Sequence, residues 1–277
     1  MLHKDKDLFD KAIRETSDYL NIRDIFVEKD YWITLVLKRL AESKYVDTVV
    51  FKGGTSLSKG FKLINRFSED VDIAIIDVPN MSGNKLKTYI RTIEKEISRD
   101  MEEKQVSGVT SKGSRYRKSV FNYPLIHKNK LEMPVSDSLI VEINSFANPY
   151  PYEKRSIQSM IGQYLQENNQ EKLIKDYELE SFEINILSKT RTLIEKLVSL
   201  IRFSFDEKPV ENLSDKIRHF YDLYYLMKDS ECNKYIHSEY FIKDFNEVVE
   251  HDKKTFDEPK DWNTKRITES PLIKDFD

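Results

Sequence analysis

Apolar residues recur at helical spacing early in the chain and later alternate. Residues 5–20 and 24–42 read as helices: in "VEKDYWITLVLKRLAES" Tyr31, Trp32, Leu35, Val36 and Leu40 return at intervals of three and four, and Leu37 broadens the stripe. "DTVVFKGG" is a short β-branched strand running into glycine. Leu57, Phe61 and Ile64 fall at i, i+4 and i+7 and predict a helix over 55–65. "DVDIAIID" is a second strand, stopped by Pro79, and a polar amphipathic helix follows over roughly 84–104. "SRYRKSVFNYP" and "SLIVEINSF" are strand-like, and the Pro-rich "ANPYPYEK" closes the segment. From about residue 155 helical patterns dominate, notably "ILSKTRTLIEKLVSLIRFSF" and "SDKIRHFYDLYYLM". The tyrosines of the latter sit at core-like spacing and read as packing. The pattern predicts an α+β chain, with a mixed sheet and flanking helices over 1–150 and a mainly helical domain over 151–277.

Composition narrows the setting. The 277 residues are 39% hydrophobic and 34% charged, with a net charge of −3, so the chain can build real cores beneath a well-solvated surface. Such a balance carries no global signal for nucleic acid, and any basic site must be local. Cys232 is the single cysteine, which excludes an intrachain disulfide and fits a reducing compartment; a lone thiol in a polar segment reads as inert. The N-terminal "MLHKDKDLFDKAIRE" has no apolar core of a signal peptide, and no run approaches 18 apolar residues. A cytoplasmic protein with no membrane partner is the expectation.

The chemistry concentrates in "FKGGTSLSKGFKLINRFSEDVDIAI", residues 51–75. On a strand, Asp70 and Asp72 leave the same face with Cα atoms roughly 6.6 Å apart. Two carboxylates brought within about 4 Å repel by roughly 4 kcal/mol at an effective dielectric near 20. A divalent cation between them reverses that sign, and an all-oxygen donor set suits Mg²⁺ or Mn²⁺. Gly53 and Gly54 let backbone amides approach a ligand, Thr55 or Ser56 can cap the helix that starts there, and Lys59 adds positive charge one turn on. Taken singly, Asp-x-Asp also describes a solvated strand end and Gly-Gly-Thr a plain turn. In this order they describe a triphosphate cradle beside a metal site. The lysine pattern of a P-loop and the later Gly and Glu of an EF-hand are absent.

That stretch resembles the signature of the AbiEii/AbiGii toxin family, within the polymerase-β-like nucleotidyltransferase superfamily. "EKDYWITLVL", "EKLVSLIRFS" and "RHFYDLYYL" also match, so the resemblance runs from roughly residue 28 to 226. It implies a nucleotidyltransferase-like N-terminal domain, with the helical half completing the active-site cleft. It also implies a third carboxylate from a neighbouring strand, for which Glu142 is the candidate because Val141 and Ile143 fill the opposite face; an outward-facing edge residue is the alternative. By the same resemblance Lys196 contacts the triphosphate or transition state, with Lys189 a second choice. Asp222 then belongs to the surround of the site, orienting Lys196 or Arg218, although an Arg218–Asp222 ion pair four residues apart explains both adequately. His219 reads as structural. Arg115, Arg117 and Lys118, with Lys112, Tyr116 and Tyr123, form a basic and aromatic strand that suits RNA as well as it suits a charge-protected edge.

The resemblance implies a Mg²⁺-dependent enzyme that moves NMP from an NTP to an acceptor hydroxyl, with release of pyrophosphate. It further implies the toxin of a bacterial toxin–antitoxin or phage-defence pair, an RNA acceptor such as a tRNA 3′ end, and a cognate antitoxin. Two rivals stand beside it. One is a catalytically degenerate protein that binds nucleotide or antitoxin. The other is a sugar-nucleotide glycosyltransferase, which also uses Asp-x-Asp but leaves Gly53-Gly54-Thr55 without a purpose.

Overall fold

A computed structural model of the chain describes residues 1–67, 69–76, 81, 83–127 and 137–274. Pro79, the expected strand stop, lies outside them. The chain divides into two compact units, Met1–Leu187 and Ser188–Asp277.

The first unit is built on one mixed sheet. Its strands are β1 (Val49–Lys52), β2 (Asp70–Ile75), β3 (Glu102–Lys104), β4 (Ser111–Lys112), β5 (Tyr116–Asn122), β6 (Ser138–Asn144), β7 (Tyr152–Ile157) and β8 (Phe182–Leu187). They run in the order β3-β5-β6-β2-β1-β8-β7, with β4 paired to β5. The β2–β6 and β1–β8 pairs are parallel and the others antiparallel. In β6 Leu139, Val141 and Ile143 are buried while Ile140, Glu142 and Asn144 are only half-buried, so one face builds the core and the other stays open to chemistry.

Helices α1 (Lys6–Leu20), α2 (Asp24–Ala41), α3 (Gly53–Lys59), α4 (Gly83–Ile97), α5 (Met160–Glu167) and α6 (Glu171–Asp176) complete this unit. In α1, Phe9, Ala12, Ile13, Thr16 and Ser17 form the buried stripe; the Asp5 carboxylate accepts from the Leu8 N–H at its start, and left-handed Asn21 ends it. Helix α2 is buried almost all round, as a central core helix should be.

Several expected boundaries move, each for a visible reason. The helix predicted over 55–65 spans only Gly53–Lys59: Lys62 takes a left-handed φ of +51 and the Leu63 N–H bonds back to the Leu57 carbonyl, which turns the chain out of the helix. The helix predicted to 104 stops at Ile97. There the Arg39 guanidinium takes the carbonyls of Ile97 and Arg99 and pairs with Asp100 at 3.0 Å, and residues 102–104 become β3. Beyond residue 150, polar Tyr152–Ile157 pairs with Phe182–Leu187, so two further strands join the sheet before the helical pattern takes over.

The second unit holds α7 (Lys189–Phe203), α8 (Pro209–Asp215), α9 (Ile217–Lys228), α10 (Ser230–Ile236), α11 (Glu239–Thr255) and α12 (Pro271–Lys274). Its core gathers Leu193, Ile194, Val198, Leu226, Val248 and Trp262. Cys232 is fully buried there, which pushes its thiol up to about 12 and leaves it inert. On α9 only Asp222, Leu223 and Leu226 are buried; Tyr221 and Tyr225 are half-buried and Tyr224 is exposed rather than packed as expected. The α+β class with a mixed sheet and a mainly helical C-terminal part is the observed architecture. No helix among the described residues is long and apolar enough to cross a membrane.

Candidate active site

The site is assembled where β1 turns into α3 beside the head of β2. Gly53 has φ +80, a conformation that favours glycine, and a Cβ there would lie 2.1 Å from Oδ2 of Asp72. Glycine at 53 is therefore what allows the Asp72 carboxylate to lie directly against the turn. Gly54 does the same for a cation: its Cβ would lie 2.1 Å from Nη2 of Arg66. One acid and one guanidinium thus close on two consecutive glycines.

Thr55 and Ser56 are buried and serve the scaffold. The Thr55 hydroxyl donates to the Asp70 carbonyl, stitching α3 to β2, and the Ser56 hydroxyl donates to the Gly53 carbonyl at 2.8 Å. Neither caps α3, whose start has no side-chain cap, so anion-binding capacity at the turn rests on backbone N–H groups. The Lys59 ammonium is engaged by Asp30 of α2, with both side chains buried. A cavity of about 590 Å³ opens alongside, with Phe26, Thr55, Lys62, Arg66 and Phe67 among its walls.

Register then extends the site across the open sheet face. Lys52 is opposite Asp72, Asp72 is opposite Glu142, and Glu142 is opposite Lys118. The four side chains form one row, cation–acid–acid–cation, with neighbouring strands roughly 4.8 Å apart. Both Glu142 oxygens are used: Lys118 Nζ lies 2.6 Å from Oε1, and the Tyr116 hydroxyl donates to Oε2 at 2.8 Å. Burial raises the Tyr116 pKa, and Glu142, Asp72 and Asp70 raise it further. Burial works against the Lys118 charge, yet the Glu142 hydrogen bond and the three acids raise its pKa on balance. These groups share one electrostatic environment.

Asp70 and Asp72 leave β2 on this same face, and the donor set they offer is oxygen only. That fits a hard divalent cation with water and substrate oxygens completing its shell. Among the described residues no group of three or more His, Cys, Asp or Glu is arranged as a metal cluster. A cation here would rest on the two aspartates, and Glu142 stands beside them in a lysine–tyrosine clamp.

The basic strand divides. Arg115 is exposed. Arg117 is buried on the core face against Glu94 and Glu103, so its guanidinium packs β5 onto α4 and does not present to RNA. Lys118 belongs to Glu142. In the second unit, Lys196 Nζ pairs with Asp222 at 2.8 Å, both side chains buried, and Lys189 pairs with Asp229 and Glu231 at 2.8 and 2.9 Å. Asp222 therefore orients Lys196.

The sequence does not single out Arg66 or the buried acids and lysine of residues 28–30 and 69, and it offers Tyr116 as part of a basic and aromatic strand, not as the partner of Glu142. Arg66 stands inside "RFSED", and its basic charge three residues before Glu69 is the available signal.

A family model described as "Nucleotidyl transferase AbiEii toxin, Type IV TA system" matches residues 35–276. No curated protein matches the chain. Among solved structures the chain is similar to MenT4, a nucleotidyltransferase toxin from Mycobacterium tuberculosis, at 19% identity and a TM-score of 0.39. That alignment covers 64% of this chain and about half, 52%, of MenT4.

Proposed function

The chain belongs to the AbiEii family of nucleotidyl transferase toxins, and from that premise we propose that it transfers NMP from an NTP to a hydroxyl of an RNA acceptor. The observation that carries this reading is the contact between Gly53 and the Asp72 carboxylate, which brings an acid pair and an amide-rich turn into one place. An acid pair alone needs only solvent, and a glycine turn alone needs only a bend. Side by side they suit a metal-bound triphosphate.

In this reading the backbone of Gly53 and Gly54 and the Arg66 guanidinium hold phosphate oxygens, since Arg offers a planar fork for them. Asp70 and Asp72 hold Mg²⁺ or Mn²⁺, which when bound supplies Lewis-acid activation of the phosphoryl centre. Lys118 and Tyr116 hold the Glu142 carboxylate in place beside Asp72. The cavity beside Arg66 has the volume of a small-ligand site, and its apolar walls suit a base. Arg115 is the exposed basic residue of the 115–118 strand left to meet a phosphate backbone. A cognate antitoxin, a cytoplasmic setting and a role in phage defence follow from the same premise as parts of the proposal.

The test is expression of wild type, Asp70→Ala and Asp72→Ala, with growth scored and RNA recovered. In parallel, label transfer from each α-labelled NTP to tRNA, other RNA and protein is measured with and without Mg²⁺. Wild type alone should arrest growth and label RNA in a metal-dependent way. Equal toxicity of all three chains, or no transfer to any acceptor, would refute the reading and favour a non-catalytic binding protein.

A further inference from the structure

Three consecutive charged residues, Glu28, Lys29 and Asp30, lie in the first turns of α2, and all three are buried. Each reaches a different segment. Glu28 accepts the N–H groups of Ile126 and His127, both at 2.8 Å. Asp30 takes Lys59 of α3 and the Met160 N–H at the start of α5. Lys29, whose side chain is 0% exposed, bonds Glu69 at 2.6 Å.

The Lys29 bond is the informative one, because Glu69 immediately precedes Asp70. Side chains alternate along a strand, so Glu69 points into the core while Asp70 leaves on the open face. An anchor on Glu69 therefore decides which way Asp70 faces, and a slip of one residue would turn Asp70 inward. Burial lowers the Lys29 pKa, and the hydrogen bond and charge of Glu69 with the charges of Asp70 and Asp137 oppose it. The ammonium thus sits among three acids where β2 and β6 begin. Stability alone is a weak reason for such a pair, since apolar side chains of similar size commonly serve as well in a core.

We propose that Lys29 is a positioning residue for the metal-binding aspartates: by holding Glu69 from within the core it fixes the head of β2 with Asp70 facing the site. This deepens the nucleotidyltransferase reading and rests on it. Lys29 touches no substrate and acts through Glu69.

The test uses the full chain and Mn²⁺ alone, with free Mn²⁺ followed by electron paramagnetic resonance and folding followed by thermal melting. The double variant Lys29→Met/Glu69→Met removes both charges together and keeps apolar volume. It should melt within a few degrees of wild type and bind Mn²⁺ at least tenfold more weakly, on the order of the loss caused by Asp70→Ala. The buried Arg117–Glu94 pair is the comparison: Arg117→Met/Glu94→Met should leave the Mn²⁺ affinity within twofold. If the Lys29→Met/Glu69→Met chain does not fold, Glu69→Gln, which keeps shape and a hydrogen-bond acceptor, should weaken Mn²⁺ binding at least threefold. A folded variant of either kind with unchanged affinity overturns the proposal, as does a matching loss in the Arg117/Glu94 variant. Wild type that fails to bind Mn²⁺, or Asp70→Ala that binds it equally well, refutes the metal reading itself and this inference with it.

Discussion

Replacing Gly53 by alanine separates a scaffold effect from a catalytic one. The backbone at 53 has φ +80, which costs an alanine roughly 1–2 kcal/mol. That corresponds to a fall in Tm of roughly 3–6 °C in a unit of this size. The larger effect is local. The new Cβ would stand 2.1 Å from Asp72 Oδ2, whereas ordinary contact begins at 3.4 Å, so the carboxylate must retreat by the difference, 1.3 Å. A displacement of about 1 Å in a reacting constellation costs on the order of 100-fold in rate. Gly53→Ala should therefore remain folded while label transfer from NTP falls about 100-fold, close to the loss in Asp72→Ala. Gly54→Ala is the internal comparison. Its Cβ would meet the far end of the flexible Arg66 side chain, which can swing aside, so the rate should fall less than about tenfold, with the change mainly in KM for NTP. Folded Gly53→Ala with transfer within threefold of wild type would refute the placement of Asp72 at the centre of the site.

Two further outcomes are expected. Lys196→Met leaves the fully buried Asp222 carboxylate without its counter-charge and should destabilise the second unit by about 3–5 kcal/mol in urea titration, with much of the loss recovered on adding Asp222→Leu; an unchanged midpoint would refute the buried pair. His3 hydrogen-bonds Tyr31 at 2.8 Å, and burial, followed by the Arg39 charge, lowers its pKa to about 4. The unfolded chain takes up that proton near pH 6.5, so the contribution to stability is complete above about 6.5 and declines as pH falls toward 4. His3→Gln should flatten that part of the Tm–pH curve, and identical slopes would contradict the assignment.

The legible part of this protein is the part that depends on local periodicity. The helices α1 and α2, the strands β5 and β6, and the Asp-x-Asp on its strand all follow from spacing along the chain. So does the opposition of Glu142 to Val141 and Ile143. What spacing could not supply is register between strands distant in sequence. The row Lys52–Asp72–Glu142–Lys118 draws on four strands from residues 52 to 142, and only the sheet order makes Lys118 a partner of Glu142. The same limit explains Lys59 and Arg117, both basic on paper and both turned inward to buried acids from other helices. Burial of charge also disguises "EKD": spacing along the chain gives no sign that these three charged side chains are buried and that each is a tether. The early stop of α4 has a comparable cause, because its cap comes from Arg39, far away in the chain.

The central claim is that Asp70 and Asp72 hold a divalent cation against the Gly53–Gly54 turn. Anomalous diffraction from crystals grown with Mn²⁺ and a non-hydrolysable NTP analogue tests it most directly. A manganese peak about 2.1 Å from carboxylate oxygens of Asp70 and Asp72, with the analogue's phosphates on the amides of residues 53 and 54, is the predicted result. Manganese bound elsewhere, or phosphates bound away from that turn, would contradict the account.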